Sequence, residues 1–127
     1  MPLESKRSIE RAEIFQLPPV LILAFIREHQ LLDRVQEMLD FGIEHLYISM
    51  DGPRNTRDKE IQTKILTELQ KYESKFKSFK VRHPENNLGL KTAIPVGIDW
   101  FFQDNEFGII IEDDIQLSEK FLEFAVS

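Results

Sequence analysis

Cysteine is missing from this 127-residue chain, and its absence excludes disulfide bonds and thiolate metal sites. Long apolar runs are missing too: the longest, residues 20–26, spans seven residues, whereas crossing a bilayer takes about 20. Basic residues are outnumbered, 16 against 22 acidic ones, for a formal net charge of −6, which is unfavourable for binding a nucleic acid backbone. With no signal-peptide pattern in residues 1–16, we expect a cytoplasmic protein that binds no nucleic acid and has no transmembrane segment.

Sequence patterns that usually cradle phosphates are also absent. The chain contains neither G-x-G-x-x-G nor a Walker A motif, and the turn after the first predicted strand reads Phe-Ile-Arg-Glu-His. This disfavours a dinucleotide cofactor and a P-loop reaction. The three histidines, His29, His45 and His83, lie on unlike predicted elements without the spacing of metal ligands. We therefore interpret them as solvated or structural residues.

Short apolar segments alternate with amphipathic ones along the chain. The apolar segments predict four strands, at residues 20–25, 45–50, 79–82 and 107–111. Helices are predicted at residues 30–41, after a cap at Thr92, and after a cap at Ser118. A further helix is predicted where a polar linker, opening at residue 55 and extending to about 67, merges into a segment whose apolar face is Ile61, Ile65, Leu69 and Tyr72. This order predicts an α/β fold, with a Rossmann-like parallel sheet in the order 3-2-1-4 and helices on both faces.

The predicted domain covers residues 18–127, after a polar lead-in at residues 1–17. Its third helix contains a proline, Pro95, which a cap at Thr92 would place in the first turn, where a missing N–H is tolerated. The same helix has an apolar stripe that we expect to be buried, formed by Ile94, Ile98, Phe101 and Phe102.

The most informative segment is the fourth predicted strand, which runs straight into three carboxylates. Residues 107–111 form an apolar run of the kind seen in strands buried on both faces, and Glu112, Asp113 and Asp114 follow directly. Like charges this close repel one another, and burying them is costly. A positive group beside them would offset this cost, and a divalent metal carrying a phosphate is the usual one. The alternative interpretation is a solvated acidic loop.

Other candidates are expected at the same edge of the sheet, because ligands of such folds bind beyond the carboxyl ends of the strands. Asp51 could accept a hydrogen bond from a base or a ribose, or simply form the Asp-Gly-Pro turn that follows the second strand. Gly89 could let backbone approach a ligand, or belong to an ordinary loop. Arg27 or Lys91 could assist a phosphate, with Mg²⁺ or Mn²⁺ as the oxygen-ligated metal.

Four segments together resemble a known family. They are Pro-Val-Leu-Ile-Leu-Ala-Phe-Ile-Arg at 19–27, Tyr-Ile-Ser-Met-Asp-Gly-Pro-Arg-Asn at 47–55, Asn-Leu-Gly-Leu-Lys at 87–91 and Ile-Ile-Ile-Glu-Asp-Asp at 109–114. In this order, the chain resembles the N-terminal, nucleotide-sugar-binding half of a GT-A fold glycosyltransferase. It is similar in particular to bacterial family 2-type sugar transferases related to the N-acetylglucosaminyltransferase I group. One departure is the end of the first strand, Ile26-Arg27-Glu28, where many relatives have Asn-Arg-Pro.

The resemblance implies a role for each matching residue. Asp114 would be the metal ligand, as the last acid of a DXD-like motif, and would hold Mn²⁺ or Mg²⁺. Glu112 and Asp113 would lie near the ribose and the sugar of a nucleoside diphosphate sugar. Three further residues would contact the nucleotide itself. Asp51 would contact the base and Arg27 the diphosphate, while Phe25 would lie beside the nucleotide through its backbone.

In the family, the acceptor site and the catalytic base come from a following half. The resemblance therefore implies that the chain ending at Ser127 has no catalytic residue of its own and no transferase activity alone. The alternative is an isolated, non-catalytic nucleotide-binding or interaction module. A phosphoacceptor signalling domain is a weaker reading, because the acid pair of such domains follows the first strand. An open edge at strand 4 beside an apolar last helix also suggests a homodimer, although that helix could instead cover the edge.

Overall fold

The structure, a computed structural model, describes residues 17–115. Residues 1–16 of the predicted lead-in and the helix predicted after Ser118 lie outside this range. Within it, strands and helices alternate along the chain in the order β1 (Val20–Ala24), α1 (Glu28–Asp40), β2 (His45–Met50), α2 (Thr56–Gln70), β3 (Ser78–Arg82), α3 (Leu90–Asp104) and β4 (Ile109–Glu112). A short 3₁₀ helix, Glu73–Lys75, precedes β3.

The four strands form one parallel sheet in the order β3-β2-β1-β4. The predicted α/β fold and strand order are therefore confirmed. β1 lies inside the sheet, where Val20 pairs with Leu46 of β2 on one side and with Ile109 of β4 on the other. Among residues 17–115, no helix combines the length and apolar character needed to cross a membrane.

Side chains of β1 alternate between the two faces of the sheet, as strand geometry requires. Val20 and Ile22 belong to the larger core, which includes the buried residues of α1 and α2. Leu21 belongs to a smaller core on the other face, with Tyr47 of β2 and Phe101 of α3. The sheet therefore has two helices on one face and, in the part described, one on the other.

Two helix boundaries have clear local causes. α1 ends in a Schellman motif, in which Gly42 has a φ of 87° and its N–H donates to Leu39, while the N–H of Ile43 donates to Met38. α2 begins where the side chain of Asn55 accepts a hydrogen bond from the N–H of Asp58 at 2.9 Å. The predicted polar linker is therefore wrong, because these residues are already helical from Thr56 onward.

The start of α3 also differs from the prediction. The helix begins at Leu90, directly after Gly89, whose φ is 81°. Thr92 is not the cap, since its own N–H donates to the carbonyl of Gly89 at 3.1 Å. Pro95 consequently lies in the second turn, where it removes one helical hydrogen bond. The early start follows from contacts of the preceding loop with β2, described below.

Three apolar residues expected to be buried are largely exposed. Phe107 and Ile110 are 66% and 38% exposed, and Phe102 is 40% exposed. The interpretation of residues 107–111 as a strand buried on both faces is therefore wrong for two of its residues. The reason is that β4 is an edge strand of the described sheet, and the smaller core that includes α3 reaches only β1 and β2.

α3 approaches β2 very closely at Gly97. A Cβ atom added there would lie 2.5 Å from Ser49 Oγ and 2.9 Å from Ser49 Cβ. These distances are shorter than ordinary van der Waals contact, so no side chain fits between the helix and the strand without a shift of one of them. Gly97 thus sets the position of α3 over the sheet.

We expect Gly97→Ala to destabilise the protein by up to about 2 kcal/mol, since overpacking costs about 1–3 kcal/mol and the gain in helix propensity offsets about 1 kcal/mol of it. Urea unfolding measures the difference. Asp99→Ala, an exposed position on the same helix, is the control and should change stability by less than about 0.5 kcal/mol. A stabilised Gly97→Ala variant would show that α3 does not pack this closely.

Candidate functional site

A cleft of about 650 Å³ opens at the carboxyl ends of β1, β2 and β4, beside the start of α3. It brings together most of the residues selected from the sequence. Those that line it are Phe25, Arg27, Asp51, Gly89, Glu112, Asp113 and Asp114. Lys91 is exposed in the first turn of α3 and is not one of the residues lining the cleft.

The positive group expected beside the acids is Arg27. Its Nη1 atom lies 3.2 Å from Asp113 Oδ1 and 3.0 Å from Asp114 Oδ2. The guanidinium is half-exposed, so solvent screens both ion pairs and each is weak. Arg27 is therefore a countercharge that can leave the acids when a stronger anion enters the cleft.

The three acids differ sharply in their surroundings. Asp113 is only 6% exposed, and its N–H donates to the carbonyl of Leu23 at 3.2 Å. Burial raises the pKa of the Asp113 carboxyl, and the attraction of Arg27 only partly opposes this. Glu112 and Asp114 are exposed. The outer two are thus available to a ligand, while Asp113 faces inward.

Asp51 organises one wall of the cleft. Its carboxylate accepts hydrogen bonds from the N–H groups of Gly52, Leu88 and Gly89, at 2.8, 2.9 and 3.1 Å, and from Asn87 Nδ2 at 3.0 Å. These contacts hold the loop that leads into α3 against the end of β2. Gly89 lies on the cleft wall with a positive φ, a conformation that favours glycine.

Gln62 is a residue that sequence analysis missed. Its side chain is fully buried, and its Nε2 atom donates to the carbonyls of Phe25 at 3.1 Å and Asp51 at 2.7 Å. Its Oε1 atom lies 2.8 Å from Nε2 of His83, which follows β3. One amide therefore links the ends of three strands. A glutamine within the otherwise apolar stripe of α2 was the available signal.

The structural interpretation of His83 agrees with this contact. Partial burial lowers the pKa of its imidazole, against the attraction of Asp51. A neutral ring with a proton on Nε2 satisfies Gln62 Oε1, since the Gln62 amide hydrogens are already used.

Arg54 and Asp58 form a second arrangement that sequence analysis missed. Arg54 Nε donates to Asp58 Oδ2 at 2.7 Å, and Arg54 Nη2 donates to Asp58 Oδ1 at 3.3 Å. The hydrogen bond and charge of Arg54 lower the pKa of Asp58. The guanidinium lies 4.9 Å from the centre of the Phe25 ring and lines the cleft. The i, i+4 spacing at the start of α2 was the signal in the sequence.

The cleft carries more negative than positive charge. Four carboxylates (Asp51, Glu112, Asp113 and Asp114) and two guanidiniums (Arg27 and Arg54) line it. In the described part of the chain, no three His, Asp or Glu side chains are grouped to hold a metal by themselves. A metal that shares a phosphate needs only one or two carboxylates, and the exposed oxygens of Asp114 fit that requirement.

Burial of Asp113 predicts how the stability of the protein depends on pH. Because its folded pKa is raised, the folded state holds the proton more tightly, so stability falls as pH rises from the ordinary carboxyl pKa of about 4 through the raised value. We expect Asp113→Asn to be more stable than wild type at pH 7, with the difference shrinking by pH 3. Urea unfolding at both values tests this, with Glu106→Gln, an exposed residue outside the cleft, as the control. A less stable Asp113→Asn at pH 7 would mean that the Arg27 ion pair outweighs burial.

Comparison with known proteins leaves the family resemblance at the level of sequence motifs. Neither a scan against models of protein families nor a search of curated proteins finds a match to this chain. The cleft and its charges are therefore the main basis for a functional assignment.

Proposed function

We propose that this chain is the donor-binding part of a metal-dependent glycosyltransferase of the cytoplasm. It would hold a nucleoside diphosphate sugar, and the complete protein would transfer the sugar to an acceptor. The observation that carries the proposal is the cleft at the carboxyl ends of β1, β2 and β4. In open parallel sheets, ligands bind where the strand order reverses. Here the order β3-β2-β1-β4 reverses between β1 and β4, and the acids follow β4.

The charge of the cleft supports a metal as part of the ligand. Its ionisable side chains sum to a formal charge of −2, from two guanidiniums and four carboxylates. A bare diphosphate would be repelled by this excess, whereas a diphosphate paired with a divalent cation would not. Mn²⁺ or Mg²⁺ suits a donor set made only of carboxylate and phosphate oxygens.

Arg27, Asp113 and Asp114 each have a role in this proposal. Asp114 would hold the metal, which when bound stabilises the negative charge on the departing diphosphate. Arg27 would turn from Asp114 to the diphosphate, exchanging one anion for another. Asp113, buried and bonded through its N–H to β1, keeps the turn in place beside the sugar. We assign no catalytic base to this chain, which would bind the donor and require another segment for transfer.

The proposal predicts metal-dependent nucleotide binding. In a thermal-shift panel of nucleoside diphosphates, at least one should raise the melting temperature in the presence of Mn²⁺. At a ligand concentration of about 100 Kd, the rise should be on the order of 10 °C. EDTA should abolish most of it, because the negative cleft then repels the diphosphate. An equal shift with and without EDTA would refute the metal-bridged mode of binding.

Removing the proposed metal ligand should weaken nucleotide binding without unfolding the protein. We expect Asp114→Asn to reduce nucleotide affinity in Mn²⁺ to the level that wild type shows in EDTA, while its unfolding transition stays intact. Isothermal titration calorimetry gives the affinities. Glu106→Gln removes an exposed charge outside the cleft and is the control, expected to retain the metal dependence. If Asp114→Asn retains it as well, the metal is held elsewhere.

A further inference from the structure

One guanidinium in the cleft is held in a fixed position at the end next to β2. Arg54 bonds to Asp58 through both Nε and Nη2, and the Asp58 side chain is only 4% exposed. The ring of Phe25 lies beneath the same guanidinium. A buried carboxylate and an aromatic face thus orient a side chain that is itself half-exposed. Such an arrangement leaves the Nη1 hydrogens of Arg54 free, among the described contacts, to donate to a ligand.

The carboxylate of Asp51, which also lines the cleft, has no remaining capacity to accept a hydrogen bond from a ligand. Asp51 accepts four hydrogen bonds, which is the full capacity of its two oxygens. Both hydrogens of Asn87 Nδ2 are also used, by Asp51 at 3.0 Å and by the carbonyl of Gly52 at 2.8 Å. Because both partners are acceptors, they define which atom of this amide is the oxygen. Asn87 Oδ1 thereby becomes an acceptor without a partner among the described residues, on a side chain that lines the cleft.

The positions of Arg54 and Asn87 in the fold indicate which part of a bound nucleotide they would contact. Arg54 and Asn87 lie near the end of β2, whereas Asp114 follows β4, with β1 between the two strands. Two strand spacings amount to about 10 Å, comparable to the distance between a base and its diphosphate. A diphosphate at Asp114 would therefore place the base near Arg54. This step rests on the proposed function.

We propose that Arg54 and Asn87 read the edge of the nucleobase, with Arg54 donating to a keto oxygen and Asn87 Oδ1 accepting from the adjacent ring N–H. Uracil and guanine present this acceptor–donor edge. Cytosine and adenine present the reverse, an amino donor beside an unprotonated ring nitrogen, and would leave both protein groups mismatched. Asp51 then positions the loop that holds Asn87, and does not contact the base itself.

Calorimetry with four ligands in Mn²⁺ tests the proposal: the diphosphates of uridine, cytidine, guanosine and adenosine. The keto member of at least one pair, uridine over cytidine or guanosine over adenosine, should bind about tenfold more tightly or better. The double variant Arg54→Ala/Asp58→Asn removes the guanidinium without leaving a buried, unpaired carboxylate. It should lose most of this preference by weakening the keto ligand, with Asn87 alone retaining the remainder. Arg57→Ala, an exposed arginine three residues further on in the first turn of α2, should keep it.

The amino-bearing ligands report on the fold of each variant, since their affinity should not change. Equal binding of keto and amino partners to wild type would overturn the proposal, as would an undiminished preference in the double variant. If the double variant weakens the keto and amino ligands equally, Arg54 contributes to phosphate binding or to the fold. That result would overturn the proposed base recognition and leave the proposed function in place. Failure of all four diphosphates to bind wild type would overturn both.

Discussion

The carboxylate of Asp51 is the contact on which the cleft depends. It fixes the loop before α3 through three hydrogen bonds, from Asn87, Leu88 and Gly89, and Gln62 fixes the carbonyl of Asp51 in turn. Because the loop is held, α3 can begin at Leu90 and pass over β2 at Gly97 without a gap. Hydrogen bonds to charged groups contribute about 1.5–3 kcal/mol each, so this small network outweighs the local preferences that favour a later helix start.

The acidic wall of the cleft at β4 is held by weaker interactions than the wall at β2. Arg27 neutralises part of the acidic cluster without burying itself, so the pairing contributes little to stability and can be exchanged easily. Asp113 is the costly member, since its burial disfavours its own charge. The cleft therefore combines a rigid wall at β2, built from saturated hydrogen bonds, with an acidic wall at β4 whose countercharge is loosely held.

Sequence patterns predict the sheet well, because each strand is a short segment of apolar or alternating residues and the order of parallel strands is constrained by general rules. The clustering of Arg27, Asp51 and the three acids follows from those same rules. The start of α3 could not be read locally, since it depends on Asp51, 38 residues before Gly89. The role of Gln62 arises from contacts with residues distant in sequence, and the place of Arg54 in the cleft depends on Phe25, 29 residues earlier. The exposure of Ile110 likewise depends on which elements cover β4.

The strand order also constrains how the chain can fold during synthesis. β1 is made first but lies inside the sheet, and its second neighbour, β4, begins at Ile109. Until a ribosome has released about ninety further residues, one edge of β1 has no partner from this chain. Its apolar residues are by then covered by the helices on both faces, but this edge of the strand stays open. Pairings this distant in sequence form slowly, and unpaired edges attract other strands. The nascent chain is consequently most prone to aggregation just before its acidic segment emerges.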